Sequence, residues 1–270
     1  MRNTFFGLGL IRAKVLNQLW KLNSYHSIVR WTKNSPQSDP VVSFVLENFS
    51  NSFSQLQQDL VALWVKERIF GKESQGYFVE LGATNGIHLS NTFMLEKFHG
   101  WSGILCEPSV NYYPELTKNR NVSTENRCVF STTGEMLEFI DRDIGEHSSL
   151  SGFYRNEGGG LDQSEKEIAR YQVESITLGD LLSTHDAPNQ IHFLSIDTEG
   201  SEYEILKNFD FKKREIVFIC VELSFNSKLI ERVLLSNGYL RILPEYSRWD
   251  GWFVHNKYAE ILREIESDHG

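Results

Sequence analysis

The chain has 270 residues, is 40% apolar and 13% aromatic, and carries a formal net charge of −9. This length and composition predict one globular domain with appendages, because enough apolar surface is present to bury a substantial core. Residues 1–38 contain six basic side chains and no carboxylate, so a basic arm precedes an acidic body. We expect the arm to be a solvated or loosely packed extension that contacts no nucleic acid, and peripheral contact with an anionic membrane is the alternative.

The sequence shows no clear export or membrane segment. The apolar run Phe5–Ile11 has only seven residues, too few to cross a bilayer, and no clear cleavage site follows it. The three cysteines lie far apart and lack the paired spacing of a zinc site, so we expect buried thiols at Cys106, Cys128 and Cys220. A cytoplasmic location is the corresponding expectation.

Strands and helices alternate along most of the chain. Residues 34–54 are rich in Ser, Asn and Pro and predict a linker or an irregular wrap, and Gln55–Phe70 predicts a helix docked on the core. The further predicted helices are Leu89–Phe98, Tyr112–Lys118, Glu202–Asn208, Lys228–Asn237 and Tyr258–Ile265. The predicted strands are Tyr77–Leu81, Gly103–Cys106, Asn126–Phe130, His192–Ile196, Ile216–Val221 and a closing pair, Tyr239–Leu243 with Trp252–His255.

This alternation predicts the α/β class. We expect a mostly parallel sheet with helices on both faces, an antiparallel closing strand near the C-terminus and a ligand at the carboxyl ends of the strands. The interval from Asp141 to Arg170 contains Gly158-Gly159-Gly160 and breaks the alternation. It predicts a mobile loop or lid beside the site.

The strand Tyr77–Leu81 leads directly into a turn with Gly82 and Gly86 four positions apart. Glycine lets the backbone approach a ligand and adopt φ above zero, and the start of the next helix offers unpaired N–H groups. The turn lacks the third glycine of a dinucleotide-binding motif, so a nicotinamide cofactor fits poorly. A cofactor with a carboxylate and an adenosine, such as S-adenosylmethionine, fits better.

Two further acidic positions follow predicted strands. Glu107 ends the second strand, where its two acceptor oxygens suit the two hydroxyls of a ribose, and the alternative is a solvated acid before a turn. Asp197 ends a later strand, and Glu199 and Glu202 follow it closely. Three carboxylates so close together repel one another unless water, a cation or a cationic ligand lies between them.

Asp197 is our candidate to take a proton from an acceptor hydroxyl during methyl transfer, and the alternative is a cap for the next helix. We weigh a divalent metal held by Asp197, Glu199 and Glu222 but do not favour it. His88, just past the glycine turn, is the second candidate catalytic group, because that position can face the acceptor. The C-terminal aromatic residues would either stack on a sugar or pack in the core; they are Tyr246, Trp249 and Trp252.

Several motifs, in their order along the chain, resemble the FkbM family of S-adenosylmethionine-dependent methyltransferases. They are Ser54-Gln55 with Gln58-Asp59, then Phe78 to Gly86, Ser90-Asn91-Thr92, Leu95-Glu96-Lys97, Gly100 to Pro108 and Ser195 to Leu206. The resemblance implies a Rossmann-like class I methyltransferase fold. It also implies an enzyme that usually O-methylates sugars or the hydroxyls of secondary metabolites.

By position, the resemblance assigns Glu80, Gly82 and Gly86 to the methionine end of the cofactor, Glu107 to the ribose and Asp197 to the methyl-transfer region. It also makes Gln55, Gln58 and Asp59 an element that leads into the fold and closes over the cofactor. The complete set of expected cofactor contacts is Glu80, Gly82, Ala83, Asn85, Gly86, Asn91, Glu107 and Asp197.

We therefore predict an S-adenosylmethionine-dependent O-methyltransferase domain over residues 54–270, preceded by a basic extension and linker over residues 1–53. Its acceptor is expected to be a hydroxyl of a small molecule or glycan, with a carbohydrate or glycoconjugate as the expected class. The alternatives are a non-catalytic binding module of the same fold and a nicotinamide-dependent oxidoreductase.

Overall fold

A computed structural model describes residues 29, 31–32, 39–143, 147–153, 166–223 and 226–263. Most of the predicted basic arm and the triglycine segment therefore lie outside the described residues, and membrane contact through the arm stays a prediction. None of the helices in the described ranges combines the length and the hydrophobicity that a membrane span needs.

The strands of the described chain form two sheets. They are β1 (Tyr77–Leu81), β2 (Ser102–Cys106), β3 (Ser123–Glu125), β4 (Cys128–Val129), β5 (Met136–Arg142), β6 (Ser149–Leu150), β7 (Glu167–Ile176), β8 (Gln190–Ile196), β9 (Glu215–Glu222), β10 (Tyr239–Arg241) and β11 (Asp250–His255). The larger sheet has the order β10-β11-β9-β8-β1-β2-β3, and the smaller sheet has the order β4-β7-β5-β6.

The five strands from β9 to β3 in the larger sheet run parallel, and β11 closes the sheet antiparallel to β9. Leu81 of β1 lies opposite Cys106 of β2 and Ile196 of β8, and Ile196 lies opposite Val221 of β9. The carboxyl ends of four strands therefore meet at one edge. This is the mostly parallel α/β arrangement that the alternation predicted, including its antiparallel closing pair. It is also the Rossmann-like fold that the family resemblance implied.

Helices cover both faces of this sheet. They are α1 (Pro40–Asn48), α2 (Gln58–Phe70), α3 (Phe93–His99), α4 (Tyr113–Asn119), α5 (Leu178–Thr184), α6 (Glu202–Lys207), α7 (Ser227–Ser236), α8 (Pro244–Ser247) and α9 (Ala259–Arg263). Alternate strand residues enter different cores: Phe78 packs with α2 and α3, whereas Val79 packs with α5 and α6. Strands buried on both faces explain why these segments are apolar along their whole length.

Several predicted boundaries differ from the structure. The predicted helix Leu89–Phe98 begins only at Phe93, because Leu89 has φ +54° and residues 90–92 bind a buried carboxylate. The third strand of the main sheet is Ser123–Glu125. The strand predicted over Asn126–Phe130 is reduced to Cys128–Val129, which pairs with β7 in the smaller sheet.

Part of the segment predicted as a linker or irregular wrap is helical. Asp39 accepts a hydrogen bond from the Val41 backbone N–H at 3.0 Å, and Pro40 occupies the first turn of α1. A side-chain cap and an N-terminal proline both favour a helix start. The buried valines of α1 join the same core as α2, so this part of the predicted extension packs on the domain.

The interval predicted as a loop or lid is also partly strand. Its first two residues, Asp141 and Arg142, end β5, and Glu167 to Arg170 begin β7. The difference arises because β5 pairs with β7. Their cross-strand hydrogen bonds continue through residues in which apolar and polar side chains do not clearly alternate. The predicted buried thiols are confirmed, because all three cysteines are buried and free of disulfides.

Candidate active site

The loops after β1, β2 and β8 are joined by backbone hydrogen bonds at the carboxyl edge of the main sheet. The backbone N–H groups of Gly82 and Ala83 both donate to the Cys106 carbonyl at 3.0 Å, and Asp197 N–H donates to the Leu81 carbonyl at 3.1 Å. Gly82 has φ +85°, and a Cβ there would lie 1.8 Å from the Asp197 carbonyl oxygen. Glycine is required at this position because the loop after β8 occupies the space that a side chain would need.

Glu107 joins the end of β2 to the glycine turn. Its carboxylate accepts from Thr84 N–H at 2.7 Å and from Ser109 N–H at 2.8 Å, and the residue is only 4% exposed. Burial raises the pKa of Glu107 to about 7, which outweighs the effect of the two backbone donors. Each oxygen keeps a second lone pair, so the carboxylate can accept two more hydrogen bonds.

Glu80, at the end of β1, binds the segment that precedes α3. Its carboxylate accepts from Ser90 Oγ at 2.9 Å, Asn91 N–H at 2.7 Å and Thr92 Oγ1 at 2.5 Å. Arg120 Nη1 lies 3.8 Å away. Burial raises the pKa of Glu80, and the nearby Arg120 guanidinium opposes that rise. Both oxygens of Glu80 therefore position residues 90–92.

Arg120 sits at the centre of this buried network. Its guanidinium pairs with Glu96, donates to the Gly86 carbonyl at 3.0 Å and donates to Thr92 Oγ1 at 2.9 Å. It also lies over the ring of Phe78 at 5.6 Å. A planar, permanently charged group with five donors suits this multiple role, and it fixes the glycine turn against α3.

Asn91 carries an unpaired acceptor beside the carboxyl ends of β1 and β8. Its Nδ2 donates to Ser195 Oγ at 2.9 Å, and the side chain is 8% exposed. Its Oδ1 is buried and has no hydrogen-bond partner among the described residues. A buried acceptor without a partner carries a free-energy cost, which a donor group on a ligand would remove.

An acidic cluster lies at the ends of β8 and β9. One oxygen from each of Asp197, Glu199 and Glu222 lies within 4.8 Å of the other two. Burial, together with the charges of Asp197 and Glu199, raises the pKa of Glu222 to about 10. Glu222 is therefore protonated at neutral pH, which reduces the repulsion within the cluster. The spacing of the oxygens also permits the divalent metal that we considered from the sequence without favouring it.

The backbone is strained at the same edge. Three non-glycine residues close to strand ends have positive φ there: Thr84 (44°), Glu199 (57°) and Arg248 (51°). Left-handed backbone costs a non-glycine residue on the order of 1–2 kcal/mol, so each must be held by its surroundings. Residues of this kind cluster at functional sites.

The family comparison decides between the two enzyme classes that share such a sheet. The family model described as the methyltransferase FkbM domain matches residues 80–263, which is more than half of the chain. The chain belongs to the FkbM methyltransferase family. The resemblance drawn from the sequence motifs is thereby confirmed, and the nicotinamide-dependent alternative is not supported.

Three solved methyltransferase structures match the chain at low identity and low TM-score. A methyltransferase FkbM from Methylobacillus flagellatus matches at 13% identity and TM-score 0.38, covering 78% of this chain and 59% of that one. The N-terminal domain of human METTL16 in complex with SAH matches at 11% identity and TM-score 0.40, covering 73% and 68%. The plantazolicin methyltransferase BpumL in complex with SAH matches at 10% identity and TM-score 0.31, covering 93% and 77%.

At these TM-scores, nothing about the function of this chain is inferred from the solved structures. The family assignment rests on the family model alone. This chain spans about 59% of the length of the Methylobacillus flagellatus structure. No curated protein matches the chain significantly.

In this FkbM-family protein, the predicted site residues come together at one edge. Gly82 and Ala83 donate to the carbonyl of Cys106, which precedes Glu107, and Asp197 contacts β1 through its backbone. Asn85 turns the chain by accepting from the N–H groups of Ile87 and His88 at 3.1 and 3.0 Å. His88 is exposed on the outside of this turn. Its catalytic role and the cofactor contacts of the turn stay predictions.

Other residues singled out from the sequence turn out to support the fold of this FkbM-family protein. Asp59 is fully buried and accepts hydrogen bonds from Ser52, Phe53 and Ser54, and Gln58 donates to Asp250 at 2.9 Å. Two of the aromatic residues considered for sugar stacking pack in the core, because Tyr246 and Trp252 are at most 1% exposed. Only Trp249 of that group is exposed, at 37%.

Sequence reasoning missed two residues that the structure places beside the glycine turn and Glu107. Arg120 follows α4 in a polar stretch that resembles an ordinary solvated helix end. Asp141 lies near the end of β5, whose sequence lacks a strict alternation of apolar and polar residues and was not predicted as a strand. Its charge contributes to raising the pKa of Glu107, after burial, so the two carboxylates lie near each other.

Proposed function

We propose that this FkbM-family protein is an S-adenosylmethionine-dependent O-methyltransferase that acts on a hydroxyl of a carbohydrate or glycoconjugate. The observation that carries the proposal is the bridge from the Glu107 carboxylate to the backbone of the glycine turn at Thr84. It brings a buried pair of acceptor oxygens next to the backbone of the glycine turn. That pairing suits the ribose and the methionine part of one adenosyl ligand.

The chemistry of the acceptor groups fits such a ligand. Its donors are an α-ammonium group and two ribose hydroxyls, together with the amino group of adenine. Glu107 has two lone pairs left for the hydroxyls, and the buried Oδ1 of Asn91 lacks a partner among the described residues. Asn91 would therefore accept from the ammonium group.

When bound, S-adenosylmethionine supplies an electrophilic methyl group on a positively charged sulfur. Asp197 is exposed at the end of β8, where its carboxylate can accept the proton of an acceptor hydroxyl. Glu199 lies beside Asp197 in the acidic cluster, whereas Glu222 is protonated at neutral pH and adds no negative charge. The cluster favours a cationic ligand and disfavours an anionic one.

The carbohydrate acceptor is supported by an exposed aromatic residue at the same edge. Trp249 precedes β11 directly, and its carbonyl accepts from Leu223 N–H at 2.8 Å, just past the end of β9. The guanidinium of Arg248 lies 5.1 Å from its ring centroid. An aromatic face with an adjacent cation suits the apolar face and polar rim of a sugar ring.

The cofactor and the reaction are tested separately. Titration calorimetry should show binding of S-adenosylhomocysteine, and labelled methyl transfer to a panel of saccharides should identify an acceptor by mass spectrometry. Asp197→Asn should lower turnover at least a hundredfold while cofactor affinity stays within about twofold. Asp210→Asn, an exposed acid remote from this edge, is the matched control and should leave both unchanged.

Absence of S-adenosylhomocysteine binding would remove the cofactor assignment. Binding without turnover on any hydroxyl acceptor would instead favour the alternative of a non-catalytic module. An Asp197→Asn variant that loses cofactor affinity and keeps its turnover at saturating cofactor would show that Asp197 binds rather than accepts the proton.

A further inference from the structure

Asp141 presents a second buried acceptor near the site. Its Oδ2 accepts from Asn111 Nδ2 at 2.6 Å and from the Tyr171 hydroxyl at 2.8 Å. Its Oδ1 has no hydrogen-bond partner among the described residues, although the side chain is fully buried. The two donors hold the carboxylate in one orientation and leave one oxygen for an additional donor.

The surrounding backbone aims this side chain. The pairing of β5 with β7 shifts register between Asp141 and Arg142, at the end of β5, as it does at a β-bulge. Bulges redirect a side chain and are common beside active sites. A buried carboxylate oxygen without a donor carries a cost of about 1–3 kcal/mol or more, so a plain structural role leaves this arrangement unexplained.

Asp141 also lies next to the segment that follows Glu107. The Tyr171 hydroxyl that donates to Asp141 accepts from Val110 N–H at 3.0 Å. Val110 stands three residues after Glu107, and its apolar side chain is 58% exposed. Near Glu107, Val110 therefore provides an exposed apolar side chain and Asp141 provides an acceptor oxygen that lacks a donor.

We propose that Asp141 recognises the exocyclic amino group of the adenine ring through its Oδ1, with Val110 covering a face of the ring. The inference rests on the proposed function, since it assigns the base end of the same cofactor. Glu107 already offers two lone pairs for the two ribose hydroxyls, so the amino group is the donor of the ligand that remains without an acceptor. Tyr171 and Asn111 act as positioning residues that hold the carboxylate.

This assignment predicts selectivity for an amino group over a carbonyl group on the purine. An ionised carboxylate only accepts hydrogen bonds, so a carbonyl oxygen facing it would leave two buried acceptors together. The test is the calorimetric affinity for S-adenosylhomocysteine and for S-inosylhomocysteine, in which a carbonyl replaces the amino group. The wild-type protein should bind the adenosyl ligand at least tenfold more tightly.

Asp141→Asn keeps the size of the side chain and an oxygen that Asn111 and Tyr171 can reach, and it turns an amide donor towards the ligand. We expect at least a tenfold loss of affinity for S-adenosylhomocysteine and a gain for S-inosylhomocysteine, so that the preference disappears or reverses. Glu138→Gln on the same strand is the matched control, because Glu138 is exposed and pairs with Arg170. It should leave both affinities unchanged.

If Asp141 has a purely structural role, Asp141→Asn should lower the affinity for both ligands by the same factor, and that result would overturn the inference. Equal affinity of the wild-type protein for the two ligands would also overturn it, without need of a variant. Wild-type protein that binds neither ligand would overturn the proposed function itself, whereas tight binding without discrimination would overturn only the role of Asp141.

Discussion

Glu107 should make cofactor binding depend on pH. Burial raises the pKa of its carboxyl from 4.5 to about 7, so a large fraction is protonated near neutrality. Ribose hydroxyls donate to the ionised form and stabilise it, so the pKa of Glu107 falls when the ligand binds and a proton is released. With a return to the ordinary pKa, release should be about 0.9 proton at pH 6 and about 0.1 proton at pH 8.

The corresponding change in affinity follows from the same values. Below pH 7 the ligand must displace the proton, so affinity for S-adenosylhomocysteine should fall about tenfold between pH 8 and pH 6. Titration calorimetry in two buffers of different ionisation enthalpy measures the proton release directly. Glu107→Gln should bind more weakly and show no such release, because an amide does not titrate.

Asp250 supplies the matched control. Burial also raises its pKa to about 7, yet its carboxylate is engaged by Gln58 and Trp252. Asp250→Asn should therefore keep the proton release seen in the wild-type protein. Wild-type binding at pH 6 without proton release, or an unchanged release in Glu107→Gln, would refute the ribose role of Glu107.

Two further predictions concern stability, each measured as the free energy of unfolding in denaturant. Arg120→Met should cost about 3–5 kcal/mol because it removes the counter-ion of the buried Glu80 and one of the two cations that pair with Glu96. Arg170→Met breaks only exposed ion pairs and should cost less than about 1 kcal/mol. Gly82→Ala should cost more than about 2 kcal/mol, because the methyl group overlaps the Asp197 carbonyl in addition to the unfavourable φ. Gly100→Ala has a similar φ and open space, and should cost only about 1 kcal/mol. Equal losses within either pair would contradict the contacts described.

The sheet and its edge follow from the sequence because short apolar runs and strand-end polar residues are local signals. Tyr77–Leu81 has the predicted bounds, and Gly82 and Glu107 meet because parallel neighbours bring their ends together. The same logic fails for β3, since Ser123–Glu125 is polar and is recognised only through its pairing with β2. Local pattern cannot report a pairing partner.

The supporting residues of the site were harder to predict for the same reason. Arg120 binds Glu80 and Glu96 across the fold, and a single arginine near a helix end has no sequence feature that distinguishes it from a solvated one. Asp141 reaches the site only because β5 and β7 form a separate sheet, which brings Tyr171 beside the residues after Glu107. Such roles depend on tertiary contacts between segments distant in the chain.

Residues that precede the family-matched region pack on the domain, and this limits how far the chain can be shortened. The indole of Trp31 stacks on Tyr246 with ring centroids 4.1 Å apart. Asp59 accepts hydrogen bonds from the hydroxyls of Ser52 and Ser54, which lie just before α2. A fragment trimmed to residues 80–263 would strip α1 and α2 from one side of the sheet and open its aromatic core to water. We expect such a fragment to aggregate, so the smallest autonomous unit extends upstream of the match to include Trp31.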